Sequence, residues 1–123
     1  MKSKNIHKGK SGEKIALKYL KEKGYNILAK NYKTNLGEID IIISNADTLI
    51  FVEVKTREDT KFLDRPAEAI TAFKCKKINQ VAAQYMSRFQ LRHVPVRFDV
   101  IEIYLVGGQI EHIENAFDSY IKF

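Results

Sequence analysis

A chain of 123 residues with 45% hydrophobic and 29% charged residues has the size and composition of one globular domain, 1–123, with room for one core. Its apolar runs fall far short of the ~20 residues that span a bilayer, and a lone cysteine, Cys75, excludes an internal disulfide. The net charge of +6 is unevenly placed: ten Lys face two Glu in residues 1–35, ten Lys or Arg face four acids in 54–97, and the stretches 36–53 and 98–123 each carry −4. Basic surface of this kind attracts polyanions, nucleic acid first, by phosphate neutralisation and counterion release.

The opening stretch, MKSKNIHKGKSGEK, has lysines but no apolar run behind them. Export is therefore not expected, and one unpaired cysteine fits a reducing cytoplasm. Ser11 is placed to cap a helix whose apolar positions Ile15, Ala16, Tyr19 and Leu20 follow helical spacing, with Gly24 as its stop. Glu13 shares the face of Ala16, Leu17 and Leu20. It is either a helix-start charge favoured by the macrodipole or an acid aimed over the sheet.

YNILAKNY then reads as a strand, and GEIDIIIS and TLIFVEVK read as two more around the turn NAD, forming a hairpin. TREDTKFLDR is a polar connection. A second helix begins between Pro66 and Thr71, with Phe73, Ile78, Val81, Ala82, Tyr85, Met86 and Phe89 as its apolar stripe. VRFDVIEIYLV is a strand, Gly107-Gly108 a tight turn and QIEHIEN the last strand. The order α-β-β-β-α-β-β predicts an α/β (α+β) domain with a mixed sheet of about five strands flanked by helices.

Register places the acids. In an antiparallel hairpin, opposed residues share a face and their numbers have a constant sum. A sum of 93 sets Ile39, Ile41 and Ile43 against Val54, Val52 and Ile50 on one apolar face, around a four-residue loop Asn45–Thr48. The other face then pairs Asp40 with Glu53, Ile42 with Phe51 and Glu38 with Lys55. A sum of 92 mixes charge into both faces. Two carboxylates that close need a cation between them. Lys55 supplies part of that charge, and a divalent metal would supply more, since Asp and Glu oxygens suit Mg²⁺ or Mn²⁺. His7, His93 and His112 are scattered and read as surface residues, so zinc is not favoured. A plain Glu38–Lys55 cross-strand salt bridge, worth at most ~1 kcal/mol if exposed, is the competing explanation of that face.

GEID, twelve intervening residues, then EVK resembles the Asp…(Asp/Glu)-x-Lys active site of the PD-(D/E)xK, or restriction-endonuclease-like, nuclease superfamily. More closely, nearly the whole chain resembles the YraN family of small bacterial proteins, whose members are similar to archaeal Holliday junction resolvases. The matching stretches are GEKIALKYLKEKGYNILAKNY, GEIDIII, FVEVKTR, RPAEAITAFKCKKINQVAAQY and RFDVIEI. The resemblance implies a restriction-endonuclease-like core, with Asp40 and Glu53 as ligands of Mg²⁺ or Mn²⁺ and Lys55 as the catalytic lysine. It also implies Glu13 as a helix-borne acid of the metal shell. Ile39 stands where the superfamily name has proline, a position that tolerates other residues.

The expected activity is metal-dependent endonucleolytic hydrolysis of phosphodiester bonds, in double-stranded or branched DNA. Lys74 and Lys77, three apart on the second helix, and Arg57, just past the EVK strand, are the expected phosphate contacts. No base-reading helix is evident, no membrane partner is expected, and the choice between monomer and homodimer stays open. Cys75 reads as a buried spacer and not a nucleophile, for want of a histidine partner. The rivals are a non-catalytic nucleic-acid-binding adaptor that keeps the fold, and RNA processing.

Overall fold

The computed structural model describes residues 2–58 and 70–121, with side chains from Ser11 onward. Its elements are α1 (Lys2–Glu22), β1 (Asn26–Thr34), β2 (Gly37–Asn45), β3 (Thr48–Arg57), α2 (Ala72–Arg88), β4 (Val96–Tyr104) and β5 (Ile110–Ile113). This is the expected order. The five strands form one sheet in the order β1-β2-β3-β4-β5, antiparallel throughout except between β3 and β4, which are parallel. A parallel pair needs a long crossover, and α2 lies within it. The second helix was expected to begin between Pro66 and Thr71; residues 66–69 and most of the polar connection before them lie outside the described residues, and α2 starts at Ala72 with Thr71 as its N-cap. No described helix is long and apolar enough to cross a membrane.

Each sheet face has its own helix. Ala16 and Leu20 of α1 pack on Ile41, Ile43, Ile50, Val52, Ile101 and Ile103. On the other face, Ile78, Val81, Ala82, Tyr85 and Met86 of α2 pack on Ile42, Leu49, Phe51 and Phe98. The expected stripe of α2 is trimmed at both ends. Phe73 is 70% exposed and Phe89 48%, because one lies in the first turn and the other is the C-cap residue, beyond the turns that reach the sheet. Ile15 likewise faces outward.

The register sum of 93 holds from Ile41↔Val52 through Asn45↔Thr48, so the hairpin closes through the two residues Ala46 and Asp47 and not a four-residue loop. The expected pairs Asp40–Glu53, Ile39–Val54 and Glu38–Lys55 are not part of that ladder. Beyond Ile41, β2 stays with β1, while β3 beyond Val52 stays with β4. The sheet therefore forks between β2 and β3. Asn31, in the place facing Asp40 across β1/β2, has φ +52°, a left-handed conformation that asparagine tolerates. Alternation breaks there, and Ile39 joins the α2 core instead of the α1 face.

Helix α1 starts at Lys2, so Ser11 is an exposed interior residue and not the N-cap. Once the turns after Ser11 dock on the sheet, each preceding residue adds a helical hydrogen bond at little entropic cost, and Gly9 weakens the run by only about 1 kcal/mol. The expected stop at Gly24 is observed. Its φ is +91°, its N–H donates to the Lys21 carbonyl (3.0 Å), and the Tyr25 N–H donates to the Leu20 carbonyl (3.1 Å), the paired bonds of a Schellman cap.

Gly12 has a different duty. It is buried against β3, where a Cβ would overlap Thr56 Oγ1 and meet Thr56 Cβ at 3.1 Å. Only a residue without a side chain lets α1 lie this low on the strand. Gly12→Ala should lower unfolding stability by about 1–3 kcal/mol, read by urea denaturation, even though alanine is the better helix former; an unchanged midpoint would contradict this packing.

Candidate functional site

Five elements converge where the sheet forks. The Val54 N–H of β3 has left the β2 ladder, and it donates instead to Asp40 Oδ2 at 2.8 Å. That bond fixes the Asp40 carboxyl beside the strand carrying Glu53 and Lys55. The low approach of α1 at Gly12 brings the next residue, Glu13, to the same place. Asn31, with its amide nitrogen turned toward the acids, donates to Glu13 Oε1 (3.1 Å) and Glu38 Oε1 (3.3 Å). From the α2 side, Lys74 Nζ lies 2.6 Å from Glu53 Oε1.

Electrostatics single out Asp40. Its pKa is pushed up to about 7 by burial first and then by the negative charge of Glu53, with Glu13 and Glu38 adding to the rise. The hydrogen bond from Val54 pulls the other way and does not prevail. Asp40 therefore stands within the field of Glu53, and like charge disfavours its own ionised form.

Lys55 points toward α2, near enough to Cys75 to favour its thiolate, although burial wins and pushes the thiol up. Cys75 is 8% exposed, in keeping with a spacer. Lys55 forms no ion pair with Glu38, the expected cross-strand partner, since the fork separates them. Arg57 donates from Nε to Glu102 Oε2 at 3.1 Å and its side chain is 17% exposed. Lys77 lies over the Phe73 ring, 5.6 Å from its centroid. Of the three expected phosphate contacts, Lys74 is thus joined to the acids, Lys77 stands one turn further along α2, and Arg57 is directed into the sheet.

The donor atoms fit a hard divalent cation. Asp40 and Glu53 offer carboxylate oxygens, and a lysine ammonium already sits on one of them. No group of three or more His, Cys, Asp or Glu is arranged to hold a metal among the described residues. Mg²⁺ commonly takes one or two carboxylates and completes its shell with water and substrate phosphate, so two acids suffice for it.

A second polar cluster was not legible beforehand. Asp99 of β4, fully buried, accepts from Arg97 Nε (2.9 Å) and an Arg97 terminal nitrogen (3.0 Å), and from the Asn115 N–H (3.0 Å). His112 Nε2 lies 2.8 Å from Asp99 Oδ2, and His112 Nδ1 3.0 Å from the Tyr19 hydroxyl on α1. His112, read from sequence as a surface residue, has a side chain only 9% exposed. Its single polar letter in a short strand hid that role. The signal present was Arg97 and Asp99, two apart in an apolar strand and hence on one face. Burial would raise the Asp99 pKa, but the hydrogen bonds from His112, Arg97 and Asn115 outweigh it and leave it lowered. Glu102, 1% exposed, is likewise paired, with Arg57 and the Tyr104 hydroxyl.

The family model described as "Uncharacterised protein family UPF0102" matches residues 12–103, a span that contains every residue of the fork. A UPF0102 protein of Clostridioides difficile (strain 630) is 50% identical over 113 residues, covering 92% of this chain and 98% of that one. One from Thermodesulfovibrio yellowstonii is 46% identical over 112 residues, covering 91% and 96%. Among solved structures, Pyrococcus furiosus SfsA in complex with Ca²⁺ aligns over 89% of this chain and 63% of that one, with 17% identity and a TM-score of 0.36, too slight to bear on function.

Two expectations follow. Because folded Asp40 holds its proton up to about pH 7 and the unfolded chain releases it near pH 4, its contribution to stability is full below pH ~4 and is lost as pH rises through ~7. The metal-free melting temperature should therefore fall across that window, and Asp40→Asn should flatten the fall in a calorimetric pH series. Asp99→Ala, which leaves Arg97 with Glu114 and the Tyr25 hydroxyl and removes the partner of His112 and the Asn115 N–H, should destabilise by about 2–3 kcal/mol in denaturant melts.

Proposed function

The chain belongs to the UPF0102 family, and from that premise we propose that it is a divalent-metal-dependent endonuclease that hydrolyses phosphodiester bonds in DNA, in the manner of restriction-endonuclease-like enzymes. The observation that carries this reading is the fork itself. Where the β2/β3 ladder ends, Asp40 lies close to Glu53, with Lys55 on the strand that bears Glu53, and burial and like charge push the Asp40 pKa up. An ordinary structural carboxylate pair has no reason to be held in that condition.

Asp40 and Glu53 would hold Mg²⁺ or Mn²⁺, with Glu13 near enough to join through its charge on Asp40. Bound there, the ion supplies charge neutralisation at the scissile phosphate and acidifies a water. Lys55 would stabilise negative charge developing on the phosphoryl oxygens. Lys74 and Lys77 supply phosphate contacts that carry no sequence information. Association should consequently weaken steeply with salt, and a basic surface of this sort suits duplex or branched DNA in the cytoplasm.

One observation favours the adaptor reading. Glu53 already has a cationic partner in Lys74, and the described residues offer no third ligand arranged for a metal. A protein that binds nucleic acid without cutting it would tolerate that.

Cleavage of junction, flap and linear duplex DNA in Mg²⁺ or Mn²⁺ separates the two. Asp40→Ala and Lys55→Ala should each lower the rate by two or more orders of magnitude, consistent with the ~10²–10⁴-fold of general acid–base catalysis. Asp40→Ala should retain or strengthen DNA binding, because it deletes a negative charge facing the phosphate. Metal-independent cutting, or full activity in Asp40→Ala, would show the site to be wrongly assigned. No cutting of any substrate would favour the adaptor.

A further inference from the structure

The contact between Lys74 and Glu53 joins a mobile charge to a fixed one. Glu53 stands on the central strand and its side chain is 11% exposed, whereas that of Lys74 is 48% exposed and enters from the first turn of α2. The backbone at Lys74 is held, since its N–H donates to the Oγ1 of the N-cap residue Thr71 at 3.1 Å. The stem therefore has a fixed root and a free end. At 2.6 Å the ammonium is in direct contact with a carboxylate oxygen that a metal would need. A divalent ion and an ammonium on one oxygen repel each other, and the divalent ion alone can serve Asp40 as well.

We propose that Lys74 is a tethered cation that holds the metal's place at Glu53 and, on metal entry, is released to bind a phosphate of the substrate. The inference rests on the reading of Asp40 and Glu53 as metal ligands. It assigns the lysine two successive partners in one site. Without metal, Lys74 offsets the charge of Glu53. With metal, the same ammonium is turned out beside the carboxylates, where the substrate backbone must lie, and Lys77 stands one helical turn further on. DNA affinity and metal occupancy are coupled by this exchange, because each favours the conformation in which Lys74 has left Glu53.

Mn²⁺ titration calorimetry and thermal unfolding of the wild type, Lys74→Met, Lys74→Arg and Glu53→Gln test the exchange. Lys74→Met should bind Mn²⁺ about threefold to tenfold more tightly than the wild type, while Lys74→Arg stays near it. In EDTA, Lys74→Met should melt below the wild type, and saturating Mn²⁺ should shrink or reverse that gap. A purely structural ion pair would leave the gap the same with and without metal. Anisotropy with a labelled duplex should show Lys74→Met weakening DNA binding in Ca²⁺ but not in EDTA. If the wild type binds Mn²⁺, Glu53→Gln abolishes that binding and Lys74→Met leaves it unchanged or weaker, the exchange is overturned while the metal site stands. An equal loss of DNA affinity in Ca²⁺ and EDTA overturns the release to phosphate. If neither the wild type nor Lys74→Met binds Mn²⁺ saturably, the metal site falls and the exchange with it.

Discussion

The acidic end of this protein depends on one hydrogen bond, from the Val54 N–H to Asp40 Oδ2. A sheet that forks leaves strand amides without partners at the point of division, and a buried amide without a partner is costly. The side chain of Asp40 closes the ladder that its backbone has abandoned. Fixing the carboxyl there places it in a half-buried position next to Glu53 and within the field of Glu13 and Glu38. The fork, the acid cluster and the raised Asp40 pKa are thus consequences of a single division between β2 and β3.

Asp99 and Asp40 are carboxylates shielded from water in contrasting ways. Asp99 is fully buried yet held in its charged form by Arg97, His112 and the Asn115 N–H. Its charge is spent on structure, tying β4 to β5 and, through His112 and the Tyr19 hydroxyl, to the far end of α1. Asp40 receives one backbone hydrogen bond and no ion pair among the described residues, and its proton is retained toward neutrality. Perturbation by burial and by like charge, without a compensating partner, is the pattern of sites that await a ligand. Helix α1 serves both clusters from positions six residues apart, Tyr19 at His112 and Glu13 near Asp40.

Helix packing makes that reach precise. Gly12 removes the side chain where α1 crosses Thr56, so the helix lies close to β3 on the face opposite Glu53 and Lys55. Helix α2 approaches from the other face and brings Lys74 and Cys75. Glu13 comes from the α1 side, whereas Glu53, Lys55 and Lys74 stand on the α2 side. Their meeting point is the edge between the strands, not either face of the sheet. A hairpin of two flat faces would make Asp40 and Glu53 an opposed pair; the fork takes both residues out of the β2/β3 ladder, and the Asp40 side chain meets β3 at the Val54 N–H instead.

The sequence by itself determined the element order, the mixed α/β sheet, the hairpin register from Ile41 to Asn45 and the glycine stop of α1. These follow from hydrophobic period, turn chemistry and the positive φ available to Gly24, all of which act within a few residues. It also marked Asp40, Glu53 and Lys55, because charge two apart in an apolar strand is conspicuous. It did not reveal the fork, since where a ladder ends depends on which neighbour each strand follows, β1 for one and β4 for the other. It did not reveal that His112 is buried against Asp99, that Arg57 turns to Glu102, or that Lys74 reaches Glu53. Those pairs lie 13, 45 and 21 residues apart in sequence. Strand pairing across β4/β5 and β3/β4 brings the first two together, packing of α2 on the sheet brings the third, and no local pattern encodes contacts of that range.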